Sequence, residues 1–262
     1  MTDSSPELDT TVPHSARVWN YWLGGTDNYP ADQLVGDQVM AMFPDIIRLA
    51  RADRAFLGRA VRYLVAGAGI RQFLDIGTGL PTADNTHEVA QRVAPESRIV
   101  YVDNDPLVLV HARALLTGSR EGVTDYVDAD VHDPDAILRA AAPTLDFDRP
   151  VALMMLGILG NVLDTDRARS IVDRLVAAVP AGSYLVINDG TDTNERGVEG
   201  AQIRGDAGDP YCLRSPDLIA HFFDGLELLE PGVVSTPRWR PDPGSATPPA
   251  ELGVFCGVAR KP

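Results

Sequence analysis

Three acids stand at the ends of successive apolar runs in this 262-residue chain: Asp75, Asp103 and Asp130. The first precedes a glycine-bearing turn, FLDIGTGLPT over residues 73–82. Gly77 and Gly79, after an apolar run and before a helical pattern, let a ligand approach the backbone closely. The third glycine of the dinucleotide fingerprint is absent, because Thr82 stands where it should be. A carboxylate at Asp75 repels a pyrophosphate and attracts an ammonium or sulfonium. The D-x-G-x-G pattern therefore favours a ligand with a cationic amino-acid end, the alternative being an ordinary strand-end Asp that caps its own loop.

The second acid closes the run VDNDP. Asp103 lies 24 residues beyond Gly79, close to the separation at which an acid meets a ribose diol. A carboxylate can accept hydrogen bonds from both hydroxyls. Asp105-Pro106 reads as a helix N-cap and first turn. The third acid opens DVHDP, where Asp130 could accept from an adenine amino group while Val131 covers the ring. Two other readings of that loop are a metal site, built from its Asp and His residues, and a plain polar loop. Asp133-Pro134 reads as another helix cap, and no matching His/Asp cluster elsewhere supports a metal.

The elements that must position these acids follow a strand–helix rhythm. Expected strands are 72–76, 99–103, 125–129, 151–156 and 184–188, alternating with helices over 83–93, 106–117, 134–141 and 165–179. Short apolar runs bounded by turn residues suit a sheet covered on both faces. Their alternation with helices predicts an open parallel sheet of right-handed crossovers. Upstream, helical spacing of Val18, Trp19, Trp22 and Leu23, stopped at Gly24-Gly25, is followed by helices over 31–43 and 45–66. Downstream, a helix near 215–224 precedes strands over 226–234 and 252–259, joined by a Pro-rich turn and read as an antiparallel pair. Residues 190–214 are polar and Gly-rich with no clear periodicity. The expected organisation is a disordered tail over 1–13, a helical cap over 14–70 and a sheet region over 71–262, cap and sheet forming one domain.

Composition narrows the class. The net charge of −14 argues against a phosphate-tracking nucleic-acid binder and against adsorption to anionic lipid. The longest near-apolar run, 151–163, is broken by Asn161 and falls short of the ~20 residues that span a bilayer. The opening stretch carries acids and lacks an apolar core, unlike a signal peptide. Two cysteines, Cys212 and Cys256, fit no ligand spacing and suggest a reducing compartment. A cytoplasmic protein is expected, acting on a small molecule rather than on nucleic acid or membrane. His87, Glu88 and His111 fall on helices and read as structural. No nucleophile elbow or P-loop is present.

The constellation of three strand-end acids resembles the class I S-adenosylmethionine-dependent methyltransferases. That resemblance implies an α/β, Rossmann-like fold with a seven-stranded, mostly parallel sheet, an antiparallel last strand and, here, an N-terminal helical cap. A closer resemblance covers nearly the whole chain. The blocks SARVWNYWLGGTDNYPAD, LDIGTGLPT, HEVAQRVAPESRIVYVDNDP, PAGSYLV and FFDGLELLEPGVV are similar to the actinobacterial S-adenosyl methyltransferase family formerly catalogued as a domain of unknown function. It implies S-adenosyl-L-methionine as cofactor, Asp75, Gly77 and Gly79 at the methionine end, Asp103 at the ribose, and Thr78 and Asn104 among the cofactor-binding residues. Asp130 and Val131 would meet the adenine, with Leu156 at the end of the fourth strand. Tyr21, Gly25 and Asn28 belong to an N-terminal block that would lie over the cofactor.

In one place the chain departs from that family. After the fourth strand the family commonly shows a His, where this chain has Leu156-Gly-Ile-Leu-Gly160-Asn161. The departure motivates an alternative, a catalytically silent cofactor-binding module. A dinucleotide-dependent oxidoreductase is a further alternative, disfavoured by Asp75 and Thr82. No catalytic base is named by the sequence; Asp189, Asp192 and Tyr211 fall near the expected mouth but read as loop residues.

Overall fold

The computed structural model describes residues 9–108, 110, 118–242 and 249–262. The expected helix over 106–117 with its His111, and the Pro-rich turn, lie partly outside these residues.

Five parallel strands form the centre: β1 (Gln72–Ile76), β2 (Arg98–Asp103), β3 (Val123–Asp128), β4 (Ala152–Leu156) and β5 (Tyr184–Gly190). Their order in space is β3-β2-β1-β4-β5, so the chain reverses its direction of winding between β1 and β4. Strand periodicity divides the side chains between two cores. Leu74, Ile76, Val100, Val102, Leu153 and Met155 point to one face. There they meet α5 (Pro134–Ala141) and α6 (Thr165–Ala177) through Ile137, Ile171 and Leu175. The intervening Phe73, Ile99, Tyr101, Ala152 and Met154 face α3 (Ile46–Arg62) and α4 (Thr86–Val93). Burial on both faces explains why β1, β2, β4 and β5 are largely apolar rather than alternating, whereas β3 at the sheet edge is only partly buried.

Local chemistry sets the helix starts. Asp133 accepts from the Ala136 amide at 2.9 Å with Pro134 in the first turn, and Asp164 accepts from the Arg167 amide at 2.7 Å. Both satisfy amides that a helix N-terminus leaves unpaired. The Asp105 carboxylate likewise accepts from Leu107 at 2.9 Å, as its capping role predicts.

The cap comprises α1 (Ser15–Trp22), α2 (Pro30–Met42) and the first half of α3, with Val18, Trp22, Val35, Val39, Phe43 and Leu49 in a third cluster. Buried Arg17 ties it to the sheet, its Nε lying 3.7 Å from Asp32 and 3.6 Å from Asp105. The same guanidinium donates to the carbonyls of Asp9 and Val12. These two bonds fasten Asp9 and Val12 to the cap.

Departures from the expected elements lie after β5. Residues 190–214 hold a helix, α7 (Glu195–Asp206), that packs on α2. It escapes the periodicity argument because Gly197, Gly200 and Gly205 replace the apolar stripe. A β-carbon at Gly200 would stand only 3.3 Å from Val39 Cγ1, so a small residue sets the approach of the two helices. After α8 (Pro216–His221), the strand expected over 226–234 is split into β6 (Glu227–Leu228) and β7 (Val234–Ser235). Between them Pro231 offers no amide to a ladder and Gly232 turns at φ +86°. Both pair with β8 (Val254–Arg260), which runs antiparallel to β5 as well. The sheet thus has eight strands in place of seven, and only β8 opposes the rest.

Candidate active site

A cavity of about 460 Å³ opens at the carboxyl ends of β1 to β4, where the winding reverses. Open α/β sheets bind ligands at that crevice, and the volume falls in the range of small-molecule sites. Nine of the twelve residues expected to meet a cofactor line it: Asp75, Gly77, Thr78, Gly79, Asp103, Asn104, Asp130, Val131 and Leu156.

The loop after β1 uses its two glycines differently. Both take positive φ, +73° at Gly77 and +65° at Gly79. A β-carbon at Gly77 would come within 2.5 Å of Ile158, so this glycine serves packing. At Gly79 no atom lies within 4 Å of that position, and the backbone faces open space. Close approach of a ligand therefore falls to Gly79.

Asp75 is buried, and its carboxylate accepts from Thr86 Oγ1 at 2.6 Å. It fastens the start of α4 and borders the cavity at once, so its capping and ligand readings coexist. Burial pushes its carboxyl up to about 6, against the Thr86 hydrogen bond and the positive charge of Arg54. Asp103 accepts from the Gly79 amide at 2.8 Å through one oxygen and from the Asp105 amide at 3.0 Å through the other. Each carboxylate oxygen retains a free lone-pair direction, so the residue both shapes the glycine loop and can receive a pair of hydroxyls. Desolvation raises its carboxyl above the ordinary range.

Asp130 is half exposed and accepts from the backbone and ring of His132, at 2.8 and 2.7 Å, and from Asn104 at 3.3 Å. Partial burial pushes its carboxyl up, but the bonds from His132 outweigh this and leave it below its ordinary value. Val131 beside it is buried.

Tyr21, Gly25 and Asn28 do not line the cavity. The Tyr21 hydroxyl donates to Asp37 at 2.7 Å, which turns the ring onto α2. Asn28 donates to Asn20 at 2.9 Å and to the Gly25 carbonyl at 3.0 Å, closing the turn. Asn28 and the Gly25 amide brace Asn20, which lines the cavity together with Trp19 and Leu23. Helical spacing marks α1 as amphipathic but does not say which polar residue faces inward.

Two groups were missed or misread from sequence. Tyr211 and Asp189 form a pair, the hydroxyl donating to the buried carboxylate. Burial pushes Asp189 up to about 6, against the Tyr211 hydroxyl and the Arg214 charge. Arg214, itself buried, donates to the carbonyls of Leu159 at 2.9 Å and Val162 at 2.5 Å. The Tyr211 ring occupies the space above Gly160, where a β-carbon would overlap it. Asp192 is exposed. The second group is Asp53 of α3, buried and lining the cavity. Nothing in the polar–apolar pattern of that helix distinguishes it from a solvated acid.

Among the described residues there is no cluster of three or more His, Cys, Asp or Glu arranged for a metal ion, and no helix is long and apolar enough to cross a membrane.

The fold and this site define a Rossmann-like α/β protein of the class I methyltransferase type. The family model described as S-adenosyl methyltransferase matches residues 1–262, and the chain belongs to that family, whose cofactor is S-adenosylmethionine. Among solved structures, a DUF574 family protein from Streptomyces avermitilis is 46% identical, with 98% of this chain and 100% of that one covered and a TM-score of 0.94. A Thermobifida fusca protein described as a candidate methyltransferase is 39% identical, with 100% and 99% covered and a TM-score of 0.90. The Synechocystis magnesium protoporphyrin IX methyltransferase with bound S-adenosylhomocysteine shares the fold at 13% identity, with 94% and 93% covered and a TM-score of 0.54. No curated protein matches the chain.

Proposed function

We propose that the chain transfers a methyl group from S-adenosylmethionine to a small-molecule acceptor, in the reducing compartment its cysteines suggest. The observation that carries the reading is Asp103, which lines the cavity and whose two oxygens hold the Gly79 and Asp105 amides with further acceptor capacity on each. In this reading Asp103 and Asn104 hold the ribose, and Asp130 and Val131 the adenine. Asp75, Thr78 and Gly79 take the amino-acid end, Gly77 setting the loop and Leu156 bordering it. When bound, the cofactor supplies a methyl group already activated on a sulfonium. The protein's work is then alignment and exclusion of water. Trp19, Asn20 and Leu23 supply the cap's part of the cavity wall.

The Gly160-Asn161 departure favours the silent module less once Tyr211 is found seated over Gly160, because that wall of the cavity is filled and hydrogen-bonded. Calorimetric titration with S-adenosylhomocysteine tests the assignment. Asp103→Ala should weaken binding by about 1–3 kcal/mol through loss of an ionised acceptor, and Asp103→Asn by less. An unchanged dissociation constant in a folded Asp103→Ala protein reduces that residue to a loop support.

A further inference from the structure

A second, apolar pocket adjoins the large cavity beneath the cap. Its space is about 70 Å³, walled on the cap side by Trp19, Trp22, Phe43, Ile46 and Leu49. The two spaces share Trp19, Asp53, Gly157, Arg204 and Tyr211 as common wall. The smaller one is roughly half the ~150 Å³ that accommodates benzene, so it takes a short alkyl group or the edge of a ring.

Of the polar groups on the shared wall, Tyr211 is committed to Asp189, and Arg204 to Asp209 at 2.7 Å. Asp53 has the polar side chains of Asn188 and Thr236 beside it but no ion-pair partner among the described residues. Its Oδ1 is buried with no hydrogen-bond partner among the described residues. An unpaired buried carboxyl oxygen is costly, and the residue that carries it lines both compartments. Resting on the methyltransferase reading above, we infer that Asp53 is the group that takes the proton from the nucleophile of the methyl acceptor, whose apolar body enters the side pocket.

The step balances. The Asp53 carboxylate removes the proton of an acceptor O–H or N–H, and the electron pair left on that atom forms the new bond to the methyl carbon. The carbon–sulfur bond breaks with its pair retained by sulfur, so the sulfonium becomes a neutral thioether. Asp53, now a carboxylic acid, returns its proton to solvent. The class of acceptor implied is a small molecule with an apolar portion and a hydroxyl or N–H nucleophile.

The surroundings suit a base near neutral pH. Burial pushes the Asp53 carboxyl up to about 8, against the neighbouring polar side chains of Asn188 on β5 and Thr236 before β8, with the Asp189 charge raising it further. The other ionisable groups around it are Cys256 on β8, whose thiol is pushed up by burial, and Arg204 and Tyr211 on the shared wall. A sulfonium held beside Asp53 favours its ionised form, an effect of about 1–3 pK units for an opposite charge within contact range.

Proton release therefore reports the contact without any acceptor. Calorimetry at pH 7.5 in buffers of different ionisation enthalpy counts protons released as S-adenosylmethionine or S-adenosylhomocysteine binds. Wild-type protein should release about half a proton more with the sulfonium ligand, from the shift just given, and Asp53→Asn should abolish that difference. Asp53→Ser serves the same comparison if the amide variant does not fold. Equal release for both ligands in wild type, or a difference that survives in the variant, overturns the role of Asp53. Absence of binding by either ligand overturns the methyltransferase reading itself, and the two failures are thus distinguishable.

Discussion

At the scale of single residues, burial decides what each carboxylate can do. Asp53 holds its proton to about pH 8 in the folded protein, whereas an unfolded chain releases it near 3.8. The folded state binds that proton more tightly, so this contribution to stability is full below about pH 4 and is lost as pH rises toward 8. Asp53→Asn removes the dependence. Thermal melts should show the variant more stable than wild type at pH 8, with the gap narrowing toward pH 4; a less stable variant at pH 8 contradicts the assignment. The strand-end acids were legible because their spacing follows the βα repeat and their neighbours are turn residues. Asp53 was not, because a single acid among the arginines of α3 looks like surface until the sheet is packed against it. Asn20 was missed for the related reason that helical spacing fixes an apolar stripe but not which polar flank faces the cavity.

At the scale of elements, the segment after β4 and the segment after β5 make one unit. Tyr211 lies over Gly160, its hydroxyl reaches Asp189, and Arg214 holds the intervening carbonyls. Gly160→Ala drives a β-carbon into the ring and leaves the buried Asp189 carboxylate without its hydroxyl donor. Urea unfolding should show a loss of about 1–3 kcal/mol, and an unchanged midpoint would mean that Tyr211 relocates freely. On the cap side, α1 contributes Val18 and Trp22 to the third cluster and, with Leu23 just after it, Trp19 and Asn20 to the cavity. Deleting residues 1–28 should leave the strand and helix signal of the sheet region but weaken S-adenosylhomocysteine binding at least tenfold, about 1.4 kcal/mol. Circular dichroism with titration checks this, and full-strength binding by the folded truncation would deny α1 a covering role. The parallel strands were readable because each is short and bounded by turns, and all but the edge strand β3 are largely apolar. Helix α7 and the β6–β7 break were not, since small residues that permit close helix contact erase the apolar stripe and a Pro-Gly turn interrupts a run that otherwise reads as one strand.

At the scale of the molecule, strand order brings acids far apart in sequence to one rim. The reversal between β1 and β4 separates the loops there and makes the crevice, and the cap closes it. The same crevice in dinucleotide enzymes receives a pyrophosphate on a three-glycine loop whose third glycine lets the helix pack closely on the strand. Here Thr82 stands in that place, and Asp75 and Asp103 line the approach as acids. Ligand discrimination is accordingly the most direct test of the whole account. Separate calorimetric titrations of the full-length protein with S-adenosylhomocysteine and with NADH should give saturable one-to-one binding for the first and none of comparable strength for the second. NADH binding as tightly as S-adenosylhomocysteine, or no binding of S-adenosylhomocysteine at all, would contradict it.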